Sequence, residues 1–141
     1  MTRDEVSDLF FDEVEHGCQY FPRLAYVQLR FHWDAGRSGR AFAYCDYTKP
    51  PVITLSPRLC AQPEERIAAI IRHELAHALD SLYARTTIER TVGKLPPTPE
   101  LMADEIASRL WGEQIFYDVE HVQTLDADAG VTDVRPPHLP E

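Results

Sequence analysis

Residues 63–83 read PEERIAAIIRHELAHALDSLY, and the rest of the chain is best understood outward from them. Ile67, Ile70, Ile71, Leu75, Ala78, Leu79 and Leu82 recur at spacings of three and four, so this segment predicts a helix with one apolar side against a core. Pro63 in the first turn, with Glu64 and Glu65 beside the positive end of the helix dipole, marks its start, and the pattern carries to about Tyr83. His73 and His77 stand four apart, one turn above each other, where both imidazoles can be aimed at one point. Glu74 lies about 100° round the helix, beside that point rather than on it. Two imidazole ligands and one carboxylate poised as a general base are what a hydrolytic zinc site takes from such a helix.

A hydrolytic zinc site needs a third protein ligand and an open fourth position. The next histidine is His121, in a stretch without periodicity, so the third ligand is expected to be an acid. A second helix is predicted from about Thr98, with Pro99 at its first position and Leu101, Ala103, Ile106, Ala107 and Leu110 as its apolar positions. Glu100 and Asp104 are four apart on it, and Ala103 and Ala107 beside them let it approach the first helix closely. Glu105 is the competing acid, about 140° from Glu100 round the helix. An upstream thiolate would have to come from Cys45 or Cys60.

The combination of His73-Glu74-Leu75-Ala76-His77 with Glu100 and Asp104 resembles the gluzincin metallopeptidases, in which the paired histidines are followed by Glu-x-x-x-Asp or a near variant. More narrowly, Glu100-Leu101-Met102-Ala103-Asp104-Glu105-Ile106-Ala107 is similar to the signature of the ImmA/IrrE family, although Ile106 stands where that family usually has Phe. The resemblance spans roughly residues 51–110. It implies a minimal zincin-like α+β domain, zinc as cofactor, Glu100 as third ligand, and Asp104 as an acceptor that orients a liganding histidine. It implies peptide-bond hydrolysis with Glu74 as base, on a protein or peptide substrate. The alternative it raises is a non-catalytic or regulatory zinc-binding module acting on a partner protein such as a transcriptional repressor.

Upstream of this core, residues 2–17 place Val6, Leu9, Phe10, Glu13 and Val14 on one side of a predicted helix, with Gly17 as its stop. From Leu24 to Trp33 the period changes to two, which predicts a half-buried strand. Asp34-Ala35-Gly36-Arg37-Ser38-Gly39 reads as a turn, and the alternation resumes from Arg40 to Tyr47, so these two strands are expected to form a hairpin. Pro50-Pro51 precedes the short apolar run Val52 to Leu55, predicted as a strand near the sheet edge where a peptide substrate could add. The sum is a small mixed sheet of about three strands packed on an active-site helix and a second ligand-bearing helix. Tyr44, Tyr47, Tyr83 and Tyr117 are the candidate donors to a developing oxyanion.

The chain of 141 residues has 44% apolar and 26% charged residues, an ordinary globular composition. Its net charge of −9 and the lack of clustered Lys and Arg argue against direct nucleic-acid binding. No apolar run approaches membrane-spanning length and the first residues are acidic, which predicts a cytoplasmic protein. Three cysteines without a Cys-x-x-Cys pair predict buried, reduced thiols. The expected division is a domain over residues 1–117 and an acidic, flexible tail over 118–141, which carries six acids against Arg135 alone. Extended across the cleft, such a tail could bring His121, His138 or one of its aspartates to the open zinc position and hold the enzyme latent.

Overall fold

Thr2 and Glu5 start the first helix by a reciprocal cap: the Glu5 amide donates to the Thr2 hydroxyl at 3.1 Å, and the Thr2 amide donates to the Glu5 carboxylate at 2.8 Å. That helix is α1 (Arg3–Cys18) in the computed structural model, which describes residues 1–31 and 42–112. A 3-10 turn (Pro22–Tyr26) leads into β1 (Gln28–Phe31), followed by β2 (Ala43–Asp46) and β3 (Val52–Leu55). A second 3-10 turn (Pro57–Ala61) precedes α2 (Glu64–Leu82), α3 (Arg85–Val92) and α4 (Pro99–Trp111). The architecture is the expected small α+β domain with a three-stranded mixed sheet. The turn around residues 34–39, Tyr117, the boundary at 117 and the tail from 118 lie outside the described residues.

The strand order differs from expectation. The sheet runs β1-β3-β2, with β1 parallel to β3 and β2 antiparallel to it. The expected hairpin of the first two strands therefore does not form, because β3 lies between them. Val52 to Leu55 is also not an edge strand: Ile53, Thr54 and Leu55 are buried, and every residue of β3 has a partner on both sides. Pro50 and Pro51 fit this central position because they precede the first ladder residue, and the Pro51 carbonyl accepts from Gln28 N at 3.0 Å. A run such as Val-Ile-Thr-Leu, apolar without alternation, is what a strand covered on both faces requires. Strand β1 also begins later than the alternation suggested, because Leu24 is taken into the 3-10 turn.

Helix α2 is the hub of the packing. Ile67, Ile70, Ile71, Leu75, Ala78 and Leu79 are almost wholly buried, and α2 meets β2, β3, α1 and α4. Ala103 and Ala107 on α4 are completely buried, the small side chains that a close helix–helix approach needs. α1 is tied to both helices. Glu13 accepts from Arg72 of α2, with an Nη2–Oε2 distance of 2.8 Å, and its carbonyl accepts from Trp111 Nε1 of α4 at 3.3 Å. His16 Nε2 donates to the Leu110 carbonyl at 2.9 Å. α3 was not anticipated; it is a two-turn helix with Ile88 as its buried residue, too short for a periodic signature. The three cysteines are free, but only Cys45 is buried; Cys18 and Cys60 are half-buried.

Gly17 does not stop α1, which continues to Cys18. Its role is space: a Cβ there would lie 2.5 Å from Leu24 Cδ2 and 3.3 Å from Trp111 Cζ2. Gly17→Ala is thus expected to lose more to overpacking, about 1–3 kcal/mol, than it gains in helix propensity, at most about 1 kcal/mol. Urea unfolding should show a net destabilisation on the order of 1 kcal/mol, and a more stable variant would refute the packing account.

Candidate metal centre

Two turns of α2 and the first two turns of α4 meet at the site. His73 and His77 are completely buried, and their Nε2 atoms face each other at 3.2 Å. The Glu100 carboxylate comes in from α4, with Oε1 2.8 Å from His73 Nε2 and Oε2 3.3 Å from His77 Nε2. The potential ligand atoms of His73, His77 and Glu100 lie within 4.8 Å of one another. Atoms bonded at about 2.0–2.1 Å around one tetrahedral zinc would be separated by roughly 3.3 Å, so the spacing suits the ion. The electrostatics suit it as well. Three acceptor-bearing groups converge where two of them have no access to water, and a proton or a metal cation has to lie among them to offset the repulsion of their lone pairs.

Asp104, one turn after Glu100, accepts from His73 Nδ1 at 2.8 Å. It is therefore placed behind the ring, on the edge opposite the cluster. Glu105 turns away and pairs with Arg109 at 2.9 Å on the exposed side of α4. Glu74 is completely buried on α2 next to His73. Cys45 and Cys60 are absent from the cluster of possible ligands among the described residues.

The four candidate tyrosines part company. Tyr44 is 2% exposed and belongs to the core. The Tyr83 hydroxyl accepts from the Arg23 amide at 2.7 Å, and its ring packs on Phe21. Tyr47, directly after β2, has its hydroxyl 2.7 Å from His77 Nδ1. The sequence offers Tyr47 as a packing residue or an oxyanion donor and not as a partner of His77, because its neighbour depends on the sheet order and not on any local pattern. Past the site, one turn beyond His77, Asp80 is half-buried; burial pushes its carboxyl above the usual carboxylate range, and Arg85 partly offsets this. A groove of about 780 Å³ is lined by Tyr26, Val27, Pro50, Pro51 and Leu82, together with Thr48, the residue after Tyr47, and Ser81, one turn beyond His77 on α2.

A buried His-Glu-x-x-His helix crossed by an acid-bearing helix beneath a small mixed sheet defines a zincin-like, metalloprotease-related domain with a His73–His77–Glu100 cluster able to bind a metal ion. The SprT-like family profile matches residues 9–90, more than half of the chain, and the protein belongs to the SprT-like family. The match contains His73, Glu74 and His77 and ends before Glu100. The segment from Glu100 to Ala107, which carries the narrower ImmA/IrrE resemblance, lies outside the matched residues, so the match supports the zincin-like class and not that narrower family. No curated protein and no solved structure matches the chain. None of the described helices is long and apolar enough to cross a membrane.

Two outcomes follow from this geometry. In zinc titrations, Glu100→Ala is expected to weaken binding by more than the roughly 10–100-fold that outer-shell changes cost, whereas Glu105→Ala leaves it unchanged; the reverse order would move the third ligand. Asp80→Asn tests the burial of the acid. A folded-state pKa raised above the unfolded one means that ionisation opposes folding, so Asp80 costs no stability below its unfolded pKa and an increasing amount as pH rises through the folded one. The variant should therefore melt higher than wild type at pH 7 and equally at strongly acid pH, and equal melting at pH 7 would refute the desolvation argument.

Proposed function

We propose that the chain is a zinc-dependent peptidase in which His73, His77 and Glu100 hold the metal and Glu74 is the general base. The observation that carries this reading is the convergence of His73 Nε2, His77 Nε2 and the Glu100 carboxylate at 2.8–3.3 Å, next to a buried Glu74 on the same helix. When bound, zinc supplies Lewis acidity that polarises a carbonyl and makes water more acidic. Glu74 takes a proton from the attacking water and delivers it to the leaving amine. Asp104 keeps the His73 proton on Nδ1 and so leaves Nε2 free to act as a ligand. Three ligands among the described residues, rather than four, favour a site with an open position over a purely structural one.

A peptide cannot add to β3, which is paired on both sides. The strand suited to this role is β2, which is an edge strand among the described residues, packs against α2, and runs into Tyr47 beside His77. An extended substrate laid along it would reach the metal centre and continue towards the half-apolar groove at Thr48. These features support a protein or peptide as substrate. The proposed partnership with a repressor drew on the ImmA/IrrE resemblance, and the SprT-like match does not reach the segment that carried it.

Glu74→Gln is the decisive variant. It is expected to retain about one zinc per chain while cleavage of an unstructured protein such as casein falls by about 10²–10⁴-fold. Loss of the metal in that variant would make Glu74 a ligand, and undiminished cleavage would exclude it as the base.

A further inference from the structure

We propose that Tyr47 is the positioning residue for His77, holding its imidazole with Nε2 towards the metal cluster through a hydrogen bond at Nδ1. The inference rests on the metal reading above and concerns a residue which that reading does not use. The Tyr47 hydroxyl lies 2.7 Å from His77 Nδ1, with ring centroids 6.1 Å apart and the planes inclined at 52°. His77 is completely buried. An imidazole that offers Nε2 to a metal carries its proton on Nδ1, and that proton needs an acceptor when water is excluded. The phenol oxygen of Tyr47 provides it.

The arrangement mirrors the other histidine. His73 donates from Nδ1 to Asp104 at 2.8 Å, so each ligand ring is held from behind. The two holders differ in kind and in origin. Asp104 brings a carboxyl group from α4, whereas Tyr47 brings a phenol hydroxyl from the end of β2. A carboxylate raises the basicity of the ring it holds more than a phenol does, because its hydrogen bond is charge-assisted. His73 is consequently the stronger donor to the metal, and His77 the one whose orientation depends on the sheet. Tyr47 also leaves the set of oxyanion donors: its hydroxyl occupies the Nδ1 edge of His77, and Nδ1 and Nε2 point to opposite sides of the ring.

The test uses the full chain freed of metal and titrated with zinc against a chromophoric chelator, comparing wild type, Tyr47→Phe and the control Tyr83→Phe. Tyr47→Phe should bind zinc roughly 10–100-fold more weakly, with shifted visible absorption bands in the cobalt-substituted protein. Tyr83→Phe should keep both properties, and circular dichroism should show both metal-free variants folded like wild type. In wild-type zinc protein, histidine ¹⁵N NMR should show His77 protonated on Nδ1; protonation on Nε2 would overturn the proposal without using a variant. A Tyr47→Phe protein with wild-type zinc affinity and cobalt spectrum would overturn it too, and collapsed cleavage in that protein would place Tyr47 on the substrate instead. If wild type itself takes up no zinc, the metal reading fails together with this inference.

Discussion

The structure is organised around one electrostatic demand: two imidazole edges and a carboxylate are brought face to face where protein, not water, surrounds the rings. Such a meeting is unfavourable for the polypeptide by itself and becomes favourable once a cation is shared. Everything that sets the distance between α2 and α4 therefore affects the chemistry. The small side chains of Ala103 and Ala107 permit the approach, and the apolar side of α2 anchors the histidines to the sheet. The ligands are split between two helices, so the cluster is a product of tertiary packing even though its most visible part is five consecutive residues.

The parts that could be read in advance are those with their own local signal. The period of 3.6 and the proline and acid start signals give both ends of α2 and the start of α4 within a residue or so, and a spacing of four puts both histidines on one side. Glu100 and Asp104 were also recognisable as a pair, although which atom each approaches depends on the angle between helices. The sheet shows the limit. Alternation identifies a strand but not its neighbour, and the default of pairing consecutive strands failed because β3 enters between β1 and β2. The misreading of Pro50-Pro51 as an edge marker came from the same source. Their place just before the ladder is compatible with a central strand, and the pairing of β3 on both sides distinguishes the two cases.

Tyr47 was within reach as a residue and out of reach as a role. Its contact with His77 needs β2 on the edge over α2, a fact of topology. The family assignment has a similar shape. The SprT-like match covers the histidine helix and the sheet that supports it, while the acid-bearing helix lies beyond it. The paired histidines and the third acid thus belong to different parts of the chain, and a reading that starts from the helix of residues 64–82 must find its completion in space rather than in sequence.

α1 contributes none of the three groups in the cluster, yet it grips both helices that supply them, through Glu13 with Arg72, Glu13 with Trp111, and His16 with Leu110. It works like the clasp of a pair of tongs whose jaws are α2 and α4. Two of its three grips are on the final residues of α4, about ten positions from Glu100, and a rigid rod of this length turns a small slackening at one end into a displacement at the other. The spacing of the His73–His77–Glu100 cluster is therefore a remote gauge of how firmly the first eighteen residues are seated, and damage at the amino-terminal helix would register first as a change in the distances between its groups.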